Sequence, residues 1–338
     1  MIDFRYHLVS LISVFLALAV GIVLGAGPLQ GPIGSSLTSQ VDGLRADRDQ
    51  LRTELDVSRS ETQQTAAFVE ATASDLVADA LTDRTVVLVR ADGADNDQAD
   101  AVSARIDEAG GRVVSDLNLT ETTFAAPDAE LVTALREADA SLPEDDGAAL
   151  NQSLARALGT QPAADEAEGE ESSPAPEGDA TEDPEDEAAT EARDASEALF
   201  TALSDAGRIE RGEWSEADAV VLLGPDVAQE ATPDPTPSGS PSPDTAEDRS
   251  AAAQALAGFS AALAGETTTV VAGPTASAAA GLLADLRSDR VDLSTVDGTD
   301  LATGAVLVPL VTQAALDGEF GDFGTGQGAT AVLPDTAQ

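Results

Sequence analysis

Residues 8–29, LVSLISVFLALAVGIVLGAGPL, run without a single charge. At roughly 1.5 Å of rise per residue, a helix over this stretch reaches across a hydrocarbon core of ~30 Å. Ahead of it lies a short polar stub, Met1-Ile2-Asp3-Phe4-Arg5-Tyr6-His7, and behind it an acidic chain with no second stretch of that kind. The reading is a single transmembrane helix over 8–29, a stub at 1–7, and a bulk that sits in water. A cleaved signal peptide is the competing reading. Gly25 and Gly27 are small enough for a cleavage site, but Pro28 would then follow the cut. The apolar run also exceeds the roughly 7–15 residues of a signal core. Arg5 and the α-amino group mark the N-terminal side as cytoplasmic, although Arg45 and Arg48 lie not far beyond the other end. The expected topology is N-terminus in, bulk extracytoplasmic.

Composition narrows the chemistry. The 338 residues hold 62 acids against 17 basic residues, all arginine, for a formal net charge of -45. Nucleic acid, whose phosphates require a basic face, is excluded as a partner. Docking of the acidic bulk on anionic lipid is disfavoured for the same reason. High Ala, Asp and Arg without lysine also fits a GC-rich coding bias, which needs no functional cause. There is no cysteine, so disulfides, thiolate metal sites and cysteine nucleophiles are ruled out. His7 is the only histidine, on the far side of the anchor, so a serine nucleophile in the bulk has no imidazole base. Nothing singles out two acids as a glycosidase pair. The expectation is a protein that is not an enzyme and has no evident cofactor.

Beyond the Gly-Pro pairs at Gly27-Pro28 and Gly31-Pro32, which are expected to stop the first helix, a heptad begins. Leu37, Leu44 and Leu51 fall at one core position; Val41, Leu55, Val69 and Leu76 fall at the other. Arg48, Ser58, Thr62 and Thr65 interrupt the two series, so the distal half is weak. Sustained apolar core positions predict a coiled-coil stalk over 34–81 that pairs chains into a homo-oligomer through Leu37, Val41, Leu44, Leu51 and Leu55. The plainer alternative is one helix packed on the globular domain.

From residue 84 the pattern changes to short β-branched runs alternating with helical segments. Runs at 85–89, 112–117, 219–223, 268–272 and 291–296 predict strands. Spacing predicts helices over 96–109, 129–138, 192–206, 249–263 and 275–287. This alternation predicts an α/β fold, an open and mostly parallel sheet over 84–334. Residues 301–316 are apolar but short of the ~20 that a span needs, so they predict a buried helix, kinked or starting near Pro309. Residues 159–190 and 229–248 are acidic or Pro/Ser/Thr-rich and cannot bury enough apolar surface to offset chain entropy; both are expected to be disordered inserts.

Chemistry-bearing motifs are few. Residues 89–95 (VRADGAD) leave a strand and open a helix, but lack G-x-G-x-x-G and a Walker lysine. Asp92, Asp95 and Asp97 read as helix capping ahead of a divalent-cation site. The acidic inserts read as poor, unselective cation binders. The tail at 318–328 is glycine-rich and carries two of the few aromatics. Of its motif residues Phe320, Phe323 and Gly324, the two phenylalanines are expected to plug the core, the alternative being a partner surface.

The start MIDFRYHLVSLISVFLALAVGIVLGAGPL, with F-R-Y-H-L-V-S-L from Phe4 to Leu11 and G-I-V-L-G-A-G-P-L from Gly21 to Leu29, resembles the actinobacterial copper-transporter family, the mycobacterial copper transport protein B (MctB-like) group. The segment Phe320-Gly321-Asp322-Phe323-Gly324-Thr325-Gly326 resembles that family's tail, ending near Leu333-Pro334. The resemblance implies a membrane-associated cell-envelope protein, described for the family as an outer-membrane channel that keeps intracellular copper low, with copper the possible transported ion. The residues themselves add a constraint. Copper(I) prefers thiolate and thioether, copper(II) imidazole, and beyond the anchor there is no Cys, His or Met. A membrane barrel needs many alternating strands of ~10 residues, which this chain lacks. Copper handling is therefore expected to run through an oligomer or envelope protein partners. The alternatives are a structural scaffold, or a small-ligand site at the carboxyl edge of the sheet.

Overall fold

The computed structural model describes residues 4–25, 30–159, 184–210, 212–225, 243–289 and 292–335. Helix α1 is Phe4–Gly25 and helix α2 is Gln30–Val77. The chain then alternates: β1 Thr85–Arg90, α3 Asn96–Glu108, β2 Arg112–Leu119, α4 Ala129–Ala138, α5 Asp146–Leu158 and α6 Pro184–Asp205. There follow β3 Ile209–Glu210, β4 Ala219–Leu223, α7 Pro243–Ala264, β5 Thr268–Gly273, α8 Thr275–Ala279, α9 Leu282–Asp289, β6 Ser294–Asp297, α10 Ala302–Leu316 and β7 Asp322–Phe323. Two compact units result, Met1–Thr65 and Ala66–Gln338.

In the first unit, α1 starts inside the stub, and Arg5–Val23 is long and apolar enough to cross a membrane. The Ser13 hydroxyl donates to the Val9 carbonyl at 2.9 Å, so this polar group is satisfied within the helix. The expected end of the span, 26–29, lies outside the described residues. Gly31-Pro32 does not break the next helix. It lies in the first turn of α2, where the missing N–H of proline would have had no intrahelical acceptor anyway. The helix thus begins at Gln30, ahead of the expected 34, and ends at Val77, short of 81.

The second unit starts before residue 84 because the end of α2 and the turn after it belong to its core: Ala73, Val77 and Leu81 are fully buried there. The seven strands run in the order β3-β2-β1-β4-β5-β6-β7. All pair in parallel except the two-residue β3, antiparallel to β2. Side chains alternate faces along each strand. Val87 and Val89 of β1, Val220 and Leu222 of β4, and Val271 of β5 meet Leu135, Leu154, Leu203 and Phe259 from α4–α7. Val86, Leu88, Val221, Leu223, Val270 and Ala272 meet Ile106 of α3 and Val308 and Val311 of α10 on the other face. Helices on both faces explain why these strands read as unbroken apolar runs.

Several expectations need correction. The predicted helix over 275–287 is two helices, separated at Gly281, where φ is +148°. The strand expected over 291–296 is Ser294–Asp297, and it is not the last, since β7 follows it. Helix α5 and the short β3 were not expected. Pro309 neither starts nor breaks α10: it sits buried in mid-helix among Val308, Leu310 and Val311. Packing on both sides of the helix outweighs the lost hydrogen bond. Most of the two inserts, 160–183 and 226–242, lies outside the described residues. Their expected ends were set too far along the chain, because 184–190 opens α6 and 243–248 opens α7.

At the amino ends of β1 and β4, Asp218 acts as a staple. Its Oδ2 accepts the Thr85 N–H at 2.7 Å and the Thr85 hydroxyl at 2.8 Å, and Oδ1 accepts Arg84 at 3.1 Å. Burial alone would raise this carboxyl's pKa; the Thr85 bonds, then Arg84, outweigh it and hold it below the ordinary carboxylate range. A carboxylate depressed in the folded state binds fewer protons there than in the unfolded chain. Its stabilisation is present above the unfolded value of about 3.9 and is lost as pH falls through the lower folded value. Asp218→Asn is therefore expected to lower the midpoint of thermal unfolding at pH 7. The gap to wild type should close as pH drops below about 4. Fluorescence of the single tryptophan, Trp214, followed in the full chain across pH, reads this directly; a gap independent of pH would refute it.

Candidate functional site

The carboxyl ends of the parallel strands share one edge of the sheet, and the strand order reverses at β1, with β2 on one side and β4 on the other. Ligands of open α/β sheets enter beside such a reversal. Here β1 ends in Arg90, which is buried although charged. Its Nε donates to Asp116 Oδ1 at 2.7 Å and its Nη1 to Asn96 Oδ1 at 2.9 Å. Nη2 bonds Asp116 Oδ2 and reaches Asp100 Oδ1 at 3.4 Å. Burial by itself would lower the guanidinium pKa; Asp116, then Asp100, outweigh it and hold Arg90 above the ordinary range. Its charge is spent joining β1 to β2 and α3, not presented to an anion.

Asp95 Oδ1 accepts the Gln98 N–H at 3.0 Å, so it caps α3 as the sequence suggests. Asp97 lies in the first turn of that helix, where an acid is favoured. Asp92 instead lines an open recess of about 360 Å³ with Asn118, Thr120, Glu121, Thr122 and Glu210. Three carboxylates on its wall make it hostile to phosphates. Asn118 Oδ1 is buried there with no hydrogen-bond partner among the described residues. The mouth between β1 and β4 is narrow: a Cβ added at Gly93 would stand 3.4 Å from Pro225 Cβ. Among the described residues, no three His, Asp or Glu side chains converge as ligands of one metal.

The most elaborate construction on this edge lies at the end of β6. Asp297 is completely buried, and its Oδ2 takes an Nη2 hydrogen bond from Arg287 of α9 at 2.9 Å. Its Oδ1 accepts the backbone N–H groups of Thr325 and Gly326 at 3.0 and 2.9 Å. Arg287 spends its other donors on the Thr295 hydroxyl, the Gln327 carbonyl and the Phe323 carbonyl. The buried ion pair clasps the glycine-rich tail against the sheet. Gly324 passes directly over Asp297 at φ +124°, where a Cβ would come within 2.5 Å of the carboxylate.

The clasp explains part of the sequence motif. Phe323 is 3% exposed and forms β7 beside β6, so it fills the core as expected. Phe320 is 47% exposed and does not. Gly324 is a backbone requirement of the clasp. The expected seam residues Val41, Leu44, Leu51 and Leu55 lie exposed along α2; Leu37 is on the same helix, with its side chain outside the described ones. Val69 departs from the expected seam: it packs against the core of the second unit. Sequence reasoning missed Arg90, Arg287 and Asp297. The available signal was an arginine at a strand end in a chain with few, and an Asp-Gly step closing a short β-branched run.

Comparison with known proteins bears on this arrangement as a whole. The family model described as "Copper transport outer membrane protein, MctB" matches residues 1–334. The copper transporter MctB of Mycobacterium tuberculosis (strain CDC 1551 / Oshkosh) is 38% identical over 130 residues, 38% of this chain and 41% of the relative. The copper transporter MctB of Mycobacterium leprae (strain TN) is 34% identical over 121 residues, 36% and 38% of the two chains. The chain thus spans about two fifths of the length of the curated relatives it matches.

Proposed function

Because this chain belongs to the family of MctB copper transport outer membrane proteins, we propose that it is a single-pass envelope protein acting in copper export or tolerance, through an oligomer or partner proteins and without catalysis. The observation that carries this reading is the extent of the family match, from residue 1 to residue 334, which takes in anchor, long helix and α/β unit together. In this reading Arg5–Val23 crosses the cytoplasmic membrane, with the first residues in the cytoplasm and the bulk beyond it; the outer membrane is the word of the family description. Copper is the cargo, not a resident cofactor. With no cysteine, one histidine at position 7 and one methionine at position 1, the bulk offers copper(I) no soft ligand. The acidic recess beside Asn118 suits at most weak binding of hard cations. A lone apolar helix has no polar lumen, and a sheet covered on both faces by helices is not a membrane barrel.

A second reading, a scaffold that tethers envelope components without transport, is favoured by that same absence of soft ligands. One experiment separates the two. A deletion strain is expected to accumulate intracellular copper and to lose growth in copper but not in zinc or detergent, with the full chain restoring both. Normal copper with general detergent sensitivity would replace the transport reading by the scaffold.

A further inference from the structure

Helix α2 carries side chains that its own unit leaves without partners. Val41, Leu44, Leu51 and Leu55 are 37%, 68%, 65% and 48% exposed. Their spacing places them on one seam, with Val41, Arg48, Leu55 and Thr62 at heptad position a and Leu44, Leu51 and Ser58 at d. The residues beside this seam are sorted by charge. Within 41–61 each d residue is followed by an arginine at e: Arg45, Arg52, Arg59. Before Arg48, Leu55 and Thr62 the residue at g is an acid: Asp47, Glu54, Glu61. A chain with 62 acids and 17 arginines does not place three arginines at successive e positions, with acids at the g positions that face Arg52 and Arg59, through composition.

We propose that residues 41–61 pair with the same residues of a second copy as a parallel, in-register, two-stranded coiled coil whose direction is dictated by these flanks. In a parallel pair, each g residue faces the e residue five positions on in the other copy. Asp47 then meets Arg52 and Glu54 meets Arg59, each twice by symmetry. An antiparallel pair sets e against e and g against g, arginine on arginine and acid on acid. Within one chain, Arg45 is paired with Asp42 and Arg48 with Asp49. Arg52, Arg59, Asp47 and Glu61 have no ion partner among the described residues. Arg48, the charged residue inside the seam, selects two strands: its stem lies along the interface and its head reaches water beside the acid of the other copy. Copies threaded through one membrane in the same sense already share a direction and a plane, which raises their effective concentration.

The lack of cysteine makes the test clean. In the full chain, in membranes, Leu51→Cys and separately Leu44→Cys are expected to form disulfide-linked dimers on mild oxidation. Thr53→Cys, on the opposite face, should do so about tenfold less. In the Leu51→Cys background, changing Arg45, Arg52 and Arg59 together to Glu gives an all-acid copy. Changing Asp47, Glu54 and Glu61 together to Arg gives an all-arginine copy. Each alone is expected to lose about tenfold of its cross-linking, and co-expression should restore it as a mixed dimer. All substituted side chains are exposed, so folding is not at stake. Absent cross-linking at both 44 and 51, equal cross-linking at 53, or charge variants that pair with themselves as well as with each other would overturn the proposal.

Discussion

Asp297→Ala should be the most damaging single substitution in the α/β unit, costing about 3–5 kcal/mol. The loss is not the worth of one ion pair. It leaves the Arg287 guanidinium buried without its counter-charge, and it strips two backbone N–H groups, those of Thr325 and Gly326, of their acceptor. In a unit of this size, each kcal/mol lowers the midpoint of thermal unfolding by about 2–4 °C, so a fall of roughly 6–20 °C is expected. Asp297→Asn should cost less, because one carbonyl oxygen remains for the two N–H groups. The discriminating variant is Arg287→Met combined with Asp297→Asn. Removing both charges should be milder than Asp297→Ala, since neither is then stranded in the core. Thermal unfolding of the full chain, followed by Trp214 fluorescence, measures all three. A double variant worse than Asp297→Ala would mean that the pair stabilises by attraction and not by mutual neutralisation.

How much of this was legible in the sequence depends on whether the cause is local. The strands β1, β4 and β5 are plain because burial on both faces leaves them as runs of apolar, largely β-branched residues. Helix α4 is plain because Leu131, Val132 and Leu135 supply a strong apolar stripe behind the Asp128 cap. Helix α5 is legible too, in Leu150, Leu154 and Leu158 at helical spacing behind the Asp145 cap, although it was not expected. The strands β3 and β7 have two residues each and exist only through pairing with β2 and β6. The clasp was illegible for a different reason. Arg287 of α9 and Asp297 of β6 stand on different elements, and the backbone N–H of Thr325, 28 residues beyond Asp297, is returned to it by the parallel pairing of β6 and β7. The heptad helix shows the limit of a pattern taken alone. Val69 continues the a series in the sequence, yet in the fold it serves the core of the α/β unit.

Gly304→Ala and Gly258→Ala should shift stability in opposite directions, although both replace a helical glycine by the residue with the highest helix propensity. Gly258 of α7 is exposed, and an added Cβ meets nothing within 4 Å. There the methyl only reduces the entropy of the unfolded chain, and about 0.5–1 kcal/mol of stabilisation is expected. Gly304 lies in the first turn of α10, where that helix is pressed against the turn after β6. A Cβ would come 2.1 Å from the Gly298 carbonyl oxygen and 2.5 Å from the Thr299 nitrogen. Both neighbours are backbone, so no rotamer change relieves the clash; α10 or the turn has to move. The turn cannot move freely, because the Thr299 N–H bonds the Gly273 carbonyl at 3.1 Å and the Asp300 carboxylate holds the start of α8. Displacing α10 instead disturbs Val308 and Val311, both fully buried against the sheet. The propensity gain of about 1 kcal/mol is therefore outweighed by overpacking of about 3 kcal/mol or more. Thermal unfolding read by Trp214 should place Gly304→Ala well below wild type and Gly258→Ala slightly above it. If both variants moved upward together, the close approach of α10 to Gly298 would not exist in solution.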